Sequence, residues 1–80
     1  MSFQTRLVYD ILLKSRLGAE SKESIVRTLA LRAKDANDTL YMEVCMSKAN
    51  KWFEQAITEL GNKVMLCDSF KGEMILLMKE

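Results

Sequence analysis

Cys45 and Cys67 are the side chains best suited by type to nucleophilic or metal chemistry, yet the chain offers nothing to activate them. It contains no histidine, so neither a thiol nor a serine has its usual general base. Two cysteines, twenty-two positions apart, fall short of a four-ligand zinc site within one chain. Cys45 lies on an apolar helical stripe and Cys67 in the apolar run Val64–Cys67. Thiols so placed act as small packing groups, and both are expected to react slowly in the folded protein. A lysine can replace histidine as a base, but Ser47-Lys48 lacks the Ser-x-x-Lys spacing. Asp35 and Asp38 flank the expected start of a helix, where carboxylates favour the exposed N–H groups and the helix dipole. Glu54 and Glu59 do not share a helix face. The sequence has no phosphate-binding or dinucleotide-binding glycine loop, and Asp35-Ala-Asn-Asp38 lacks the glycine and terminal glutamate of a calcium loop. The reading is a protein that is not an enzyme and carries no catalytic residue, cofactor or metal.

The residues that could recognise something are of other kinds. Tyr41, Met42, Met46, Trp52 and Phe53 are types enriched at the centres of protein interfaces. Trp52 is read as a core anchor. Met42 and Met46, near a helix start, are read as exposed, and methionine adapts to irregular partners. With Lys48 and Lys51 they form a candidate partner-binding set, to which Arg6 and Arg16 are added from the basic end of the chain. The net charge of +1 hides an asymmetry: residues 1–34 sum to +4 and residues 35–80 to −3, and all the arginines lie in the first part. Such a split points to an acidic partner, a nucleic acid, or pairing of like chains.

The elements that must position these groups follow from periodicity. Phe3, Leu7, Val8, Ile11 and Leu12 mark a first helix from about Ser2 to Leu17, with Ser2 as cap, Asp10 and Lys14 as an i,i+4 pair and Gly18 as its end. Ile25, Val26, Leu29 and Ala33 mark a second from about Lys22 to Lys34, capped by Ser21 and supported by a Glu23–Arg27 pair. The short connection predicts that the two pack as an antiparallel hairpin. A third helix runs from Asn37 or Asp38 to Leu60 along the stripe Tyr41, Met42, Cys45, Met46, Ala49, Trp52, Phe53, Ala56, Ile57 and Leu60, with no break at Ser47. In the tail, Val64–Cys67 and Met74–Met78 flank a turn at Asp68–Gly72, which predicts a β-hairpin; a short final helix is the alternative, since Met, Leu, Glu and Lys are good helix formers. Lys79 and Glu80 would only partly protect its edge.

The fold class is therefore mainly α (α+β), a single small domain over residues 1–80 with a long third helix and a C-terminal hairpin. With 49% hydrophobic residues, a domain this small cannot hide them all, since it buries only about 60% of its unfolded surface. A contact patch and a homo-oligomer, most simply a two-fold dimer, are expected. The start MSFQTRLVYDILLK carries charges within its apolar stretch and does not read as a leader, and no run reaches the length of a membrane span. A cytoplasmic setting is expected. The first functional reading is a small regulatory protein, of inhibitor, antiholin-like or adaptor type, that binds a protein. The order of helices followed by a hairpin is similar to that of winged-helix domains, over roughly residues 38–78. That resemblance implies a second reading, a DNA-binding regulator whose Lys48, Asn50 and Lys51 reach the duplex, opposed by the acidic second half and the lack of a break before Ser47. A third would lay nucleic acid on Arg6, Arg16, Arg27 and Arg32, without interleaved aromatics.

Overall fold

The computed structural model describes residues 1–78; Lys79 and Glu80, expected to guard the hairpin edge, lie outside the described residues. Elements follow in the order α1 (Phe3–Lys14), β1 (Ala19–Ser21), α2 (Lys22–Ala36), α3 (Met42–Leu60), β2 (Val64–Ser69) and β3 (Gly72–Leu77), with single 3-10 turns at Arg16–Gly18 and Gly61–Lys63. The three helices, the long third one and the C-terminal hairpin are as the periodicity predicts, and the tail is not a helix.

Three features differ from the sequence reading, each for a physical reason. The Ser2 hydroxyl caps α1 by accepting from the Thr5 N–H, but the helix stops at Lys14 rather than Leu17. The Ser15 hydroxyl donates back to the Ile11 carbonyl at 2.6 Å, and the chain then reverses through Leu17 and Gly18, whose φ values are 62° and 67°. At Gly18 a Cβ would also stand 3.4 Å from that of Leu77, so both backbone angle and close approach favour glycine there. The reversal delivers β1, which no propensity in Ala-Glu-Ser announces. It exists because β3 offers it a ladder, with Ala19 opposite Leu76 and Ser21 opposite Met74, giving the strand order β1-β3-β2.

The third difference is the start of α3. Asn37 does not begin a helix: its side-chain carbonyl accepts from the Thr39 N–H at 3.3 Å and the Thr39 hydroxyl at 2.6 Å, a local turn that competes with helical bonding. The Lys34 ammonium donates to the carbonyls of Asp38 and Leu40 and fastens this loop to the end of α2. Helix α3 begins at Met42, after Tyr41. Asp35 therefore sits in the last turn of α2 and Asp38 in the loop, and neither caps α3.

The core is a single cluster. Val8 and Leu12 of α1 and Ile25, Leu29, Ala30 and Ala33 of α2 meet Cys45, Ala49, Phe53, Ala56 and Leu60 of α3, with Val64 and Ile75 closing it from the sheet. The buried positions of α3 are spaced at three and four residues, a stripe narrower than the sequence suggested. Phe53 is the buried anchor at 1% exposure. Trp52, read as that anchor, lies at the stripe's edge and is only half-buried. Cys45 is buried as expected, but Cys67 is exposed, because its alternation along β2 points it away from the helices. The Glu23–Arg27 pair closes at 2.9 Å, whereas Asp10 and Lys14 do not come within ion-pair distance.

The start of α1 is tied to the end of α3 by one carboxylate. Glu59 accepts from the Thr5 hydroxyl at 2.8 Å, the Ser2 N–H at 3.0 Å and the Ser2 hydroxyl at 2.9 Å. The Thr5 hydroxyl, then the Ser2 backbone and side chain, hold its pKa below the ordinary 4.5, with a smaller contribution from the terminal ammonium. Because the folded pKa is depressed, this stabilisation is complete above the ordinary value and is lost as pH falls through the lower folded value. Thermal melts across pH 2–7 are expected to show an acid-side loss of stability that is smaller in Glu59→Gln. An identical acid limb in both proteins would contradict the assignment.

Candidate functional site

Helix α3 buries one stripe and leaves the other side bare, so the features of that bare side decide what the domain can bind. Its crest carries Glu43, Ser47, Lys51 and Glu54, all exposed. A cleft lies along each flank.

The first, of about 420 Å³, is lined by Leu40, Val44, Ser47, Lys48, Lys51, Trp52 and Gln55. The loop after α2 supplies Leu40, and the face of α3 that lies just off the buried stripe supplies the rest. The Trp52 ring forms one wall. Phe3 of α1 meets it edge-on, with ring centroids 6.4 Å apart, and the Gln4 amide donates to the Gln55 side-chain carbonyl at 2.9 Å, so α1 fixes the position of this wall. The Lys48 ammonium lies 5.6 Å from the Trp52 ring centroid, a cation–π distance. The result is an apolar groove with a cationic rim. Phe3 is 65% exposed and Val44 46% exposed.

The second cleft, of about 320 Å³, lies between the start of α2, the middle of α3 and the tip of the hairpin, with Lys22, Val26, Met46, Asn50, Lys71 and Glu73 on its walls. Its charges are largely matched. Lys22 pairs with Glu54 at 3.6 Å and lies 5.3 Å from the Phe53 ring centroid. Phe70, at the hairpin tip, is 97% exposed.

The candidate residues read from the sequence separate accordingly. Lys48 and Lys51 come together on the first groove. Met46 faces the second cleft and is half-buried rather than exposed. Tyr41 and Met42 are 81% and 40% exposed at the start of α3, beside the grooves and lining neither. Arg6 and Arg16 are exposed on α1 and the turn after it, and also line neither. Sequence reasoning missed Phe3, Leu40 and Val44 as groove residues. Val44 carries a legible signal, an apolar side chain spaced with Ser47, Lys48, Lys51 and Gln55 on the face beside the buried stripe.

Around the α3 crest and the hairpin, Lys48, Lys51 and Lys71 are offset by Glu43, Asp68 and Glu73, while the arginines belong to α1, α2 and the turn between them. Among the described residues, no three of Asp, Glu and Cys gather to hold a metal ion, and no helix is long and apolar enough to cross a membrane. The chain matches no protein family, no curated protein and no solved structure.

Proposed function

We propose that the chain is a non-enzymatic small regulatory protein, of inhibitor, adaptor or antiholin-like type, that works in the cytoplasm by binding a protein partner on α3. The observation that carries this reading is the groove of Leu40, Val44 and Trp52 with Phe3 at its edge and Lys48 and Lys51 on its rim. An apolar trough of this kind accepts the apolar face of an amphipathic segment. The two ammonium groups favour carboxylates beside that face and steer the encounter. Tryptophan is among the residue types most enriched at binding hot spots.

A winged-helix DNA regulator is the second reading, and one observation favours it. The break that a helix-turn-helix needs lies at Asn37–Tyr41, ahead of α3, rather than near Ser47, and the Lys71 end of the hairpin shares a cleft with Asn50. The charge balance opposes it, since affinity for a duplex comes chiefly from neutralised phosphates. Contacts by Lys48, Lys51 and Lys71 would give a log–log salt slope of roughly −3. Anisotropy of a labelled random duplex, followed from about 50 to 200 mM salt, separates the two. The protein-binding reading expects no saturable binding. Saturable binding with that slope, removed by Lys51→Glu with Lys71→Glu, would replace it with the DNA reading.

A further inference from the structure

Strand β2 is an outer strand of the sheet, and among the described residues nothing lies along its free side. The Met78 N–H donates to the Lys63 carbonyl at 2.8 Å, and the pairing continues in the same register from Val64↔Leu77 to Ser69↔Gly72. Hydrogen-bonded pairs alternate along an antiparallel ladder. The odd-numbered residues of β2 therefore address β3, Leu66 and Asp68 turn both their N–H and C=O groups outward, and Val64 turns its C=O outward while its N–H donates to the Gly61 carbonyl. Natural edge strands are blocked by a charge, a proline or a bulge. The stretch from Val64 to Cys67 has none of these. Its side chains are apolar on both faces, with Met65 45% and Leu66 44% exposed and Cys67 exposed beside them.

We propose that this edge pairs with the same edge of a second copy of the chain, antiparallel and centred on Leu66, to make one continuous sheet across a two-fold axis. The charges select the orientation. The uncharged stretch is bounded by Lys63 at one end and Asp68 at the other. Antiparallel pairing brings each lysine end to the partner's aspartate end, whereas parallel pairing would set like charges together. Backbone and charge together select the register. A two-fold axis normal to the sheet pairs only residues of the same face. Centring on Leu66 lets the two Leu66 residues exchange both bonds across the axis and lets each Asp68 N–H donate to the partner's Val64 carbonyl. A slip of two residues centres the pair on Met65, which strands Asp68, or on Cys67, which brings Lys63 to the partner's Lys71. On the face away from the helices, Met65 then stands opposite the partner's Cys67 in a non-hydrogen-bonded pair, and each covers the other. Such a contact is smaller than the roughly 800 Å² per partner of a standard interface, so association in the micromolar range is expected. The inference does not depend on which partner the α3 groove takes.

The register makes the test specific. Sedimentation equilibrium at tens to hundreds of micromolar should show wild-type mass rising above 9.2 kDa towards twice that value. Leu66→Pro removes an outward N–H without touching the β3 ladder, and Leu66→Lys keeps that N–H but places a charge at the two-fold axis. Both should sediment as monomers with an unchanged helical spectrum, and if the proline variant unfolds the lysine variant alone decides. In Met65→Cys the new thiol faces the partner's Cys67 at a separation suited to a disulfide, whereas the native Cys67 thiols of the two chains sit diagonally and too far apart. Mild oxidation should therefore link Met65→Cys into a covalent dimer roughly tenfold faster than wild type. A monomeric wild type, a dimer that survives Leu66→Lys, or equal cross-linking rates would each overturn the proposal.

Discussion

Phe53→Ala is expected to remove a quarter or more of the domain's stability at 25 °C. Phe53 is 1% exposed and sits midway along the buried stripe of α3, where α2 packs against it. Truncating a buried phenylalanine costs about 3–5 kcal/mol, part lost transfer energy and part cavity. A domain of 80 residues has a total stability on the order of 4–12 kcal/mol at the usual 0.05–0.15 kcal/mol per residue. One substitution thus removes a quarter or more of what holds the fold. Little can collapse into the space, because the neighbouring positions on the stripe are Ala49 and Ala56. The Lys22 ammonium, 5.3 Å from the ring centroid, also loses its aromatic partner. Trp52→Ala removes a larger side chain at smaller cost, about 1–2 kcal/mol, because the ring is half-buried and its main specific contact is the edge-on pair with Phe3. Urea unfolding of both variants checks the order. A midpoint lowered more by Trp52→Ala than by Phe53→Ala would mean that the core is centred elsewhere.

Val44→Asp should do the opposite, leaving stability intact while removing binding. Val44 stands in the first turn of α3, 46% exposed. An aspartate there gains from the helix dipole, and it stands four residues before Lys48, where it forms an i,i+4 pair. The fold is expected to be as stable as wild type or slightly more so. The groove loses an apolar wall, and the new carboxylate, paired with Lys48, neutralises half of the cationic rim. Covering the exposed half of one valine is worth about 0.7–1.5 kcal/mol, a roughly three- to tenfold weaker complex, and the lost cationic rim weakens it further. Isothermal titration with any ligand of the groove reads this directly.

Periodicity revealed the helices and the hairpin because each buries one face, and repetition of apolar residues is the direct record of that burial. Ser2 and Ser21 were legible as caps for a similar reason, since the side-chain oxygen acts within its own turn. Strand β1 was not legible, because Ala19–Ser21 becomes a strand only through β3, far along the chain. Nor was the start of α3, where Asn37 and Thr39 close a turn that helix propensity alone does not anticipate. The site was half legible. Lys48 and Lys51 could be placed on the polar side of α3, but the groove needs Phe3 from α1 and Leu40 from the loop, and only packing brings those to Trp52. The same limit explains Trp52 itself. A broad apolar stripe does not tell the residue at its centre from the one at its border, and Phe53 took the core.

The chain has a single tryptophan, and it forms a wall of the proposed groove, so its emission reports occupancy without a label. The decisive measurement is a titration of the protein with amphipathic peptides selected for binding to wild type and against Val44→Asp. The account predicts selected sequences in which aliphatic or aromatic residues alternate with carboxylates, a saturable blue shift of Trp52 emission, and loss of that shift in Val44→Asp. A selection that yields no peptide dependent on Val44, or peptides that bind without altering Trp52 emission, would contradict it.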